Sequence, residues 1–263
     1  MTILETIKQY KLKEIEQTQT QKPISKLEKE PYFLRQTHSL KQRLQDETQS
    51  GIISEFKRAS PSKGLIHKNA DVKQITTSYK KAKVSGLSVL TDSHFFQAQK
   101  NDFATARKYN SIPILRKDFI VNSYQVFETK AMGADVMLLI ASILSAKEIE
   151  HLAKLAQKLG LEVLLEVHTK PEIEEKLCDE IDLIGINNRN LHTFEVDIEN
   201  SIRLAQSLPQ NLPKIAESGI NDIATLLRLK DNGFQGFLIG ERFMKQQQPA
   251  VACRQFVDAL LKK

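Results

Sequence analysis

From residue 51 onward, short apolar runs alternate with longer stretches whose apolar positions recur at three- and four-residue spacing. The runs fall at 52–56, 87–90, 113–115, 136–140, 163–165, 183–186, 214–216 and 236–239. They start roughly 20 to 35 residues apart, the interval that a strand, a helix and two short turns occupy, so the pattern predicts consecutive parallel βα units. The intervening stretches 72–84, 145–159 and 222–230 are amphipathic at helical period. Ser145-Ala146-Lys147-Glu148 has the capping-box form, and Asn232-Gly233 has the ending that helix C-termini favour. Eight strand–helix pairs, with 249–263 as the last helix, predict an α/β fold of the (β/α)8 TIM-barrel type. A doubly wound open sheet is the alternative, but no Gly-x-Gly-x-x-Gly follows the first run. Residues 1–50 show helical patterns at 3–15 and 33–44 around a polar, Gln/Thr-rich break at 17–23. They are expected to form an N-terminal helical extension packed on a barrel of residues 51–263.

Length and composition agree with this architecture. The chain has 263 residues, 41% of them hydrophobic, and such barrels take about 250 residues. No apolar run approaches the roughly 20 residues needed to cross a membrane. The N-terminus carries no signal-peptide core, so a cytoplasmic protein without a membrane partner is expected. Cys178 and Cys253 have no Cys-x-x-Cys spacing and sit in helix-like, partly apolar segments. Buried thiols are therefore expected, with neither a disulfide framework nor a zinc site. The formal charge is +6, from 38 basic and 32 acidic residues. The lysines are scattered among acids with no Arg-rich tract, which argues against a nucleic-acid partner and suits a small anionic substrate.

The chemistry lies where the apolar runs end, since barrels of this type assemble their active sites at the C-terminal ends of the strands. The first run ends in Glu55-Phe56-Lys57, an acid and a base two residues apart and hence on one strand face. A surface salt bridge would look the same. The loop Ser60-Pro61-Ser62-Lys63-Gly64 then breaks regular structure with basic and hydroxyl side chains. Run three ends in Arg116-Lys117-Asp118-Phe119, run five in Glu166-Val167-His168, run six in Asn187-Asn188-Arg189-Asn190 and run seven in Glu217-Ser218-Gly219. Run eight ends in Gly240-Glu241. Two lysines thus face three carboxylates at one end of the strands. A charge at the barrel-facing Glu166 position is costly unless it has a partner or a task. Gly219 and Gly240 follow strands seven and eight, where barrels frequently bind phosphate through loop amides. Glycine lets backbone approach an anion closely, although the same residues also serve as plain turn glycines. No His/Asp/Glu set has metal spacing, so no metal is expected.

The string Ile52-Ile53-Ser54-Glu55-Phe56-Lys57-Arg58-Ala59-Ser60-Pro61-Ser62-Lys63-Gly64 closely resembles the signature of the indole-3-glycerol-phosphate synthase family. Further motifs follow in order: Ser-Val-Leu-Thr-Asp at 88–92, Pro-Ile-Leu-Arg-Lys-Asp-Phe-Ile at 113–120 and Gly-Ala-Asp-Val-Met-Leu-Leu-Ile at 133–140. Leu-Leu-Glu-Val-His at 164–168, Gly-Ile-Asn-Asn-Arg-Asn-Leu at 185–191 and Ala-Glu-Ser-Gly-Ile at 216–220 complete the set. The resemblance implies a carboxy-lyase of tryptophan biosynthesis that needs no cofactor. It converts 1-(2-carboxyphenylamino)-1-deoxyribulose 5-phosphate to indole-3-glycerol phosphate, carbon dioxide and water. It implies proton transfer by Lys57, Lys117 and Glu166, with Glu55 and Glu217 orienting the lysines and holding substrate. Asn187 and Arg189 fall at the anthranilate end, with Phe96, Phe119 and Leu138 as ring-packing walls. Ser60 and Lys57 meet the anionic groups, and Ser218, Gly219, Gly240 and Glu241 belong to the phosphate-end motifs. Two departures concern loops only: Gly240-Glu241-Arg242-Phe243-Met244 replaces the usual Gly-Glu-Ser-Leu-Met, and Ala98 replaces a glycine. A monomer or weak homo-oligomer is expected. The alternatives are a non-catalytic barrel that binds phosphate or nucleic acid, and a phosphoribosylanthranilate isomerase-like barrel. The latter shares the phosphate logic but lacks the Glu-Phe-Lys-x-x-Ser-Pro string.

Overall fold

The structure is a computed structural model and describes residues 3–61, 63–190 and 195–262. Ser62 and Leu191, which belong to two of the sequence motifs, lie outside the described residues. Eight strands form a closed parallel barrel: β1 (Ile52–Phe56), β2 (Gly86–Leu90), β3 (Ile114–Lys117), β4 (Val136–Ile140), β5 (Glu162–Val167), β6 (Leu183–Asn187), β7 (Lys214–Glu217) and β8 (Gly236–Ile239). Each pairs with the next, and β8 closes on β1 through Ile52↔Phe237, Ile53↔Leu238 and Ser54↔Ile239. A short antiparallel ribbon, Ala59–Ser60 with Gly64–Leu65, follows β1 at the barrel mouth.

Both faces of these strands are buried, which is why they read as continuous apolar runs rather than alternating ones. Ile53, Leu115, Val136, Leu138, Leu164, Leu183, Ile215 and Leu238 fill the interior as one cluster. Their neighbours in sequence, such as Ile52, Ile114, Val163, Ile184 and Ala216, pack outward under the helices. The period of two then dictates the mouth. Two residues beyond Ile53, Leu115, Leu164 and Ile215 come Glu55, Lys117, Glu166 and Glu217, so the last inward position of those strands is charged. The helices start on their expected caps. Ser145 and Glu148 form a reciprocal capping box on Ala146–Lys158, and Asp222 accepts from Thr225 N at the start of Ile223–Asp231. Cys253 is buried against Ser54 Oγ at 3.3 Å, whereas Cys178 is only partly buried, contrary to the expectation for both thiols.

The N-terminal segment departs from its sequence pattern in two places. The first helix runs from Ile3 through most of the expected break and stops only at Gln21. The Thr18 and Thr20 hydroxyls bond back to Glu14 O at 2.8 Å and Glu16 O at 2.9 Å inside it, and Pro23 follows its end. Conversely, the helical pattern at 33–44 yields a helix only at Leu40–Gln45. Its first half is turn at 33–34 and irregular chain at 35–39, because the barrel takes its hydrogen bonds. Arg35 pairs with Asp135 at 2.6 Å, His38 N donates to the same carboxylate at 2.7 Å, and Thr37 Oγ1 donates to Gly160 O at 2.7 Å. Glu162 at the start of β5 then accepts from Leu40 N at 2.9 Å and Lys41 N at 3.1 Å, a carboxylate set on a helix N-terminus. Leu40 and Leu44 join the inner cluster and close the barrel at the end opposite its mouth. The segment therefore crosses from the mouth to the floor of the barrel.

Candidate active site

Strand register brings the charged mouth positions together. Leu90 pairs with Lys117, Ile140 with Glu166 and Asn187 with Glu217, so Lys117, Glu166, Asn187 and Glu217 reach the same level inside the barrel. Lys117 Nζ lies 2.8 Å from Glu166 Oε2 and 2.6 Å from Glu217 Oε2, bridging two strands across the interior. Lys57 Nζ lies 2.7 Å from Glu55 Oε1, the same-face pairing that their spacing predicts. Asn187 Nδ2 donates to Glu166 Oε1 at 2.9 Å, while its Oδ1 accepts from Ser218 Oγ at 2.8 Å and Arg189 N at 3.0 Å. His168 sits on the Glu166 side of β5, with Nε2 3.7 Å from Glu166 Oε1.

Burial decides the ionisation of this group. Burial alone would lower the pKa of Lys117, but Glu166, Glu217 and Glu55 outweigh it and hold the ammonium well above its ordinary range. For Glu166, burial raises the pKa, yet Lys117 and His168, together with hydrogen bonds from Lys117 and Asn187, bring it down to about 2. Glu217 goes the other way, to about 7, because burial is reinforced by the like charges of Glu166 and Glu55 against the pull of Lys117. The asymmetry has a structural reason. Both Glu166 oxygens accept hydrogen bonds, whereas Glu217 Oε1 is buried with no hydrogen-bond partner among the described residues. At neutral pH the centre therefore holds a charged lysine beside an ionised Glu166, with Glu217 as the carboxyl that shares the additional proton.

Glu55, Lys57, Ser60, Phe96, Lys117, Phe119, Leu138, Glu166, Asn187, Arg189, Glu217, Ser218, Gly219, Gly240 and Glu241 all line one cavity of about 280 Å³. At one side Phe119 meets Phe95 edge-on and Phe96 at a tilt, with centroids 5.8 Å apart in both pairs. At the other side lie the loops after β7 and β8. Ser218 and Gly219 carry φ of +67° and +75°, a sharp reversal that is uncommon for a serine. Glu241 turns its carboxylate to Arg189, 3.4 Å away, so any contact it makes to an anion comes from its backbone. Arg242 Nε donates to Asn221 O at 3.0 Å and ties the two loops together at the cavity lip. A Cβ on Gly240 would overlap Glu55 Oε1 and stand 2.9 Å from Glu55 Cβ, so the glycine leaves the room that the Glu55–Lys57 pair occupies. Gly240→Ala should displace that pair and lower kcat/KM by about 10- to 10²-fold. Steady-state kinetics beside a thermal melt check this, and an unchanged kcat/KM would refute it.

Among the wall residues that escaped the sequence reading, two come from outside the barrel. Leu4 and Ile7 of the N-terminal helix also line the cavity. Their signal was present: Leu4, Ile7 and Ile15 lie at three- and eight-residue steps on one helix face, but nothing in the sequence says which part of the barrel that face meets.

The family model described as "Indole-3-glycerol phosphate synthase" matches residues 4–256. A protein of Bacteroides thetaiotaomicron carrying the same name is 50% identical over 211 residues, covering 80% of this chain and 81% of the relative. The "Indole-3-glycerol phosphate synthase" of Legionella pneumophila strain Paris is 41% identical over 245 residues, covering 93% and 94%. The "Indole-3-glycerol phosphate synthase 2" of Ralstonia nicotianae is 39% identical and covers 99% of this chain and 98% of the relative. Among solved structures, tryptophan synthase subunit alpha from Legionella pneumophila superposes with a TM-score of 0.62 at 12% identity, covering 85% of this chain and 95% of that one. The 3-hexulose-6-phosphate synthase from Salmonella typhimurium gives 0.61 at 12%, covering 80% and 98%. These likenesses speak to the barrel alone.

Proposed function

Since the chain belongs to the indole-3-glycerol-phosphate synthase family, carboxy-lyases of tryptophan biosynthesis, we propose that the cavity divides into an aromatic end, a proton-transfer centre and a phosphate end. The division into an extension of residues 1–50 and a catalytic barrel of 51–263 belongs to the same reading. The substrate is 1-(2-carboxyphenylamino)-1-deoxyribulose 5-phosphate. Its carboxyl-bearing ring carbon attacks the ribulose carbonyl, whose oxygen takes a proton from an acid as the new carbon–carbon bond forms. The carboxylate then leaves as carbon dioxide and returns its bonding pair to the ring. A second protonation expels the new hydroxyl as water, and a base removes the remaining proton to complete the indole.

The observation that carries this reading is Lys117 held between Glu166 and Glu217 at 2.8 Å and 2.6 Å. Lys117 thus starts protonated and Glu166 ionised, the forms an acid and a base need, and because each shift weakens the group as donor or acceptor, substrate has to loosen the ion pair before the proton moves. Lys57, just beyond the end of β1 and oriented by Glu55, is the second acid. Glu217 holds Lys117 and shares a proton with it. Asn187 fixes Glu166, while Arg189, Phe96, Phe119 and Leu138 enclose the aromatic ring. Ser60, Lys57, Ser218 and the backbone of Gly219, Gly240 and Glu241 take the phosphate. No described helix is long and apolar enough to cross a membrane. The protein is read as cytoplasmic, monomeric or weakly self-associating.

Purified protein with the substrate and no added cofactor should generate indole fluorescence, and complete inactivity of folded protein would overturn the reading. Inorganic phosphate should compete with substrate. Gly219→Ala should raise both the Michaelis constant and the phosphate inhibition constant while kcat changes little, because the change touches the phosphate end only. Phosphate inhibition that is not competitive, or is unaffected by this substitution, would remove the phosphate assignment.

A further inference from the structure

One helix face links the N-terminal segment to the aromatic end. Leu4, Ile7 and Lys11 lie at i, i+3 and i+7, so all three project from the same side of the helix Ile3–Gln21. Leu4 and Ile7 line the cavity. Lys11 goes deeper: it is 3% exposed, and its ammonium sits 3.1 Å from Asp92 Oδ2, 2.9 Å from Asp118 Oδ1 and 2.6 Å from Glu14 Oε2. A lysine this buried in a terminal helix is uncommon unless it is paired.

Its two barrel partners have a second task. Asp92 follows β2, and its Oδ1 accepts the backbone N–H of Phe95 at 2.5 Å. Asp118 follows β3, and its Oδ1 accepts the backbone N–H of Phe119 at 2.8 Å. Asp118 is held further by Thr91 Oγ1 at 2.5 Å and Arg116 at 3.0 Å. Each barrel carboxylate that Lys11 touches therefore sets the backbone of a phenylalanine, and those two rings meet edge-on. Next to Lys11, Tyr10 stacks on His94 with centroids 4.3 Å apart and meets Phe95 edge-on at 5.6 Å. Asp92 and Asp118 are 1% and 4% exposed. Without the ammonium they would become close, buried like charges with only the Arg116 guanidinium on Asp118 to offset them, and the cheapest relief is for the two loops to part.

We propose that Lys11 is a positioning residue for the aromatic end of the cavity: by clamping Asp92 and Asp118 it holds Phe95 and Phe119 in register and seats Leu4 and Ile7 against them. It touches no reacting atom. The inference rests on the reading that this end of the cavity receives the anthranilate ring.

Lys11→Met keeps the stem and removes the charge. The Michaelis constant should rise by about 10-fold or more, since a wall displaced by about 1 Å has effects of this size. The inhibition constant of anthranilate, a probe of the ring end, should rise with it. That of inorganic phosphate should not change, and kcat should fall less than the Michaelis constant rises. A merely structural lysine gives a different result: fewer folded molecules, so kcat falls with the Michaelis constant unchanged, and this result would overturn the proposal. An equal rise for both probes would also overturn it, since it means general loosening. If Lys11→Met does not fold, Lys11→Met/Asp92→Asn removes one uncompensated charge while keeping an oxygen for Phe95 N, and is judged by the same criteria. Phe119→Ala separates this inference from the one beneath it. If Phe119→Ala leaves anthranilate binding unchanged, the ring-end assignment fails. If Phe119→Ala weakens it and neither Lys11 variant does, only the role of Lys11 fails.

Discussion

Replacing Lys117 by methionine is expected to lower turnover by about 10²- to 10⁴-fold, the usual cost of removing a positioned acid. Methionine keeps most of the stem, so the loss reports the ammonium rather than the packing. The same substitution should also show in stability, with a defined pH dependence. Lys117 is the cation that meets Glu166 at 2.8 Å and Glu217 at 2.6 Å, and both carboxyls are almost wholly buried. In the native protein Glu217 already titrates near 7, while Glu166 is held near 2 chiefly by Lys117 against its own burial. Without the lysine, both folded-state values lie above those of the unfolded chain. A carboxyl raised in this way contributes stability that is complete below its unfolded pKa and is lost as the pH rises through its folded one. The melting-temperature deficit of Lys117→Met relative to the native protein should therefore widen from about pH 5 to about pH 8. Thermal melts across that range check this. A deficit that is flat or narrows would mean that the lysine does not neutralise the pair, and turnover above about a tenth of the native value would deny it the acid role.

The barrel was legible because every strand is buried on both faces, so its apolar run stands out, and because an inward-facing charge at a strand end has few structural excuses. Glu166 after Leu164 and Glu217 after Ile215 are of this kind. Lys117 was harder to read, since Arg116, Lys117 and Asp118 form one charged string. The strand period separates them: Lys117 enters the barrel, while Arg116 turns outward to Glu128 at 2.6 Å and Asp118 to Lys11. The N-terminal segment was less legible for two physical reasons. The stretch 33–44 has helical spacing, but Asp135 and Gly160 of the barrel compete successfully for its backbone and side-chain hydrogen bonds. The face carrying Leu4, Ile7 and Lys11 has a clear period, but its destination depends on Asp92 and Asp118, more than 80 residues away in the chain. The division of charge between Glu166 and Glu217 was also out of reach, because it turns on which groups meet each carboxyl in space: His168 and Asn187 beside Glu166, and Glu55 near Glu217.

Glu166→Gln tests the proton-transfer centre most directly. Glu166 Oε2 faces Lys117 and Oε1 accepts from Asn187 Nδ2 at 2.9 Å, so both oxygens act as acceptors. Glutamine keeps the volume and one acceptor, which Lys117 can retain, but it cannot take up a proton. Its amide group would also face Asn187 Nδ2, donor against donor. Asn187 cannot readily turn over, because its Oδ1 already accepts from Ser218 Oγ and Arg189 N. The cost of that mismatch falls on Asn187, whose bonds from Ser218 Oγ and Arg189 N are kept, so substrate binding should change less than turnover. Turnover should fall by about 10²- to 10⁴-fold while the Michaelis constant stays within about threefold. A second readout does not depend on activity. Glu217 loses its nearest like charge but keeps Lys117 at 2.6 Å, so its carboxyl should titrate below its native value of about 7. Carbon-13 titration of the glutamate carboxyls in the two proteins would follow that group. If Glu166→Gln keeps more than about a tenth of native turnover, the base lies elsewhere. If turnover collapses but Glu217 still titrates near 7, the two carboxyls are not coupled through Lys117, and the centre is two separate ion pairs rather than one proton-sharing group.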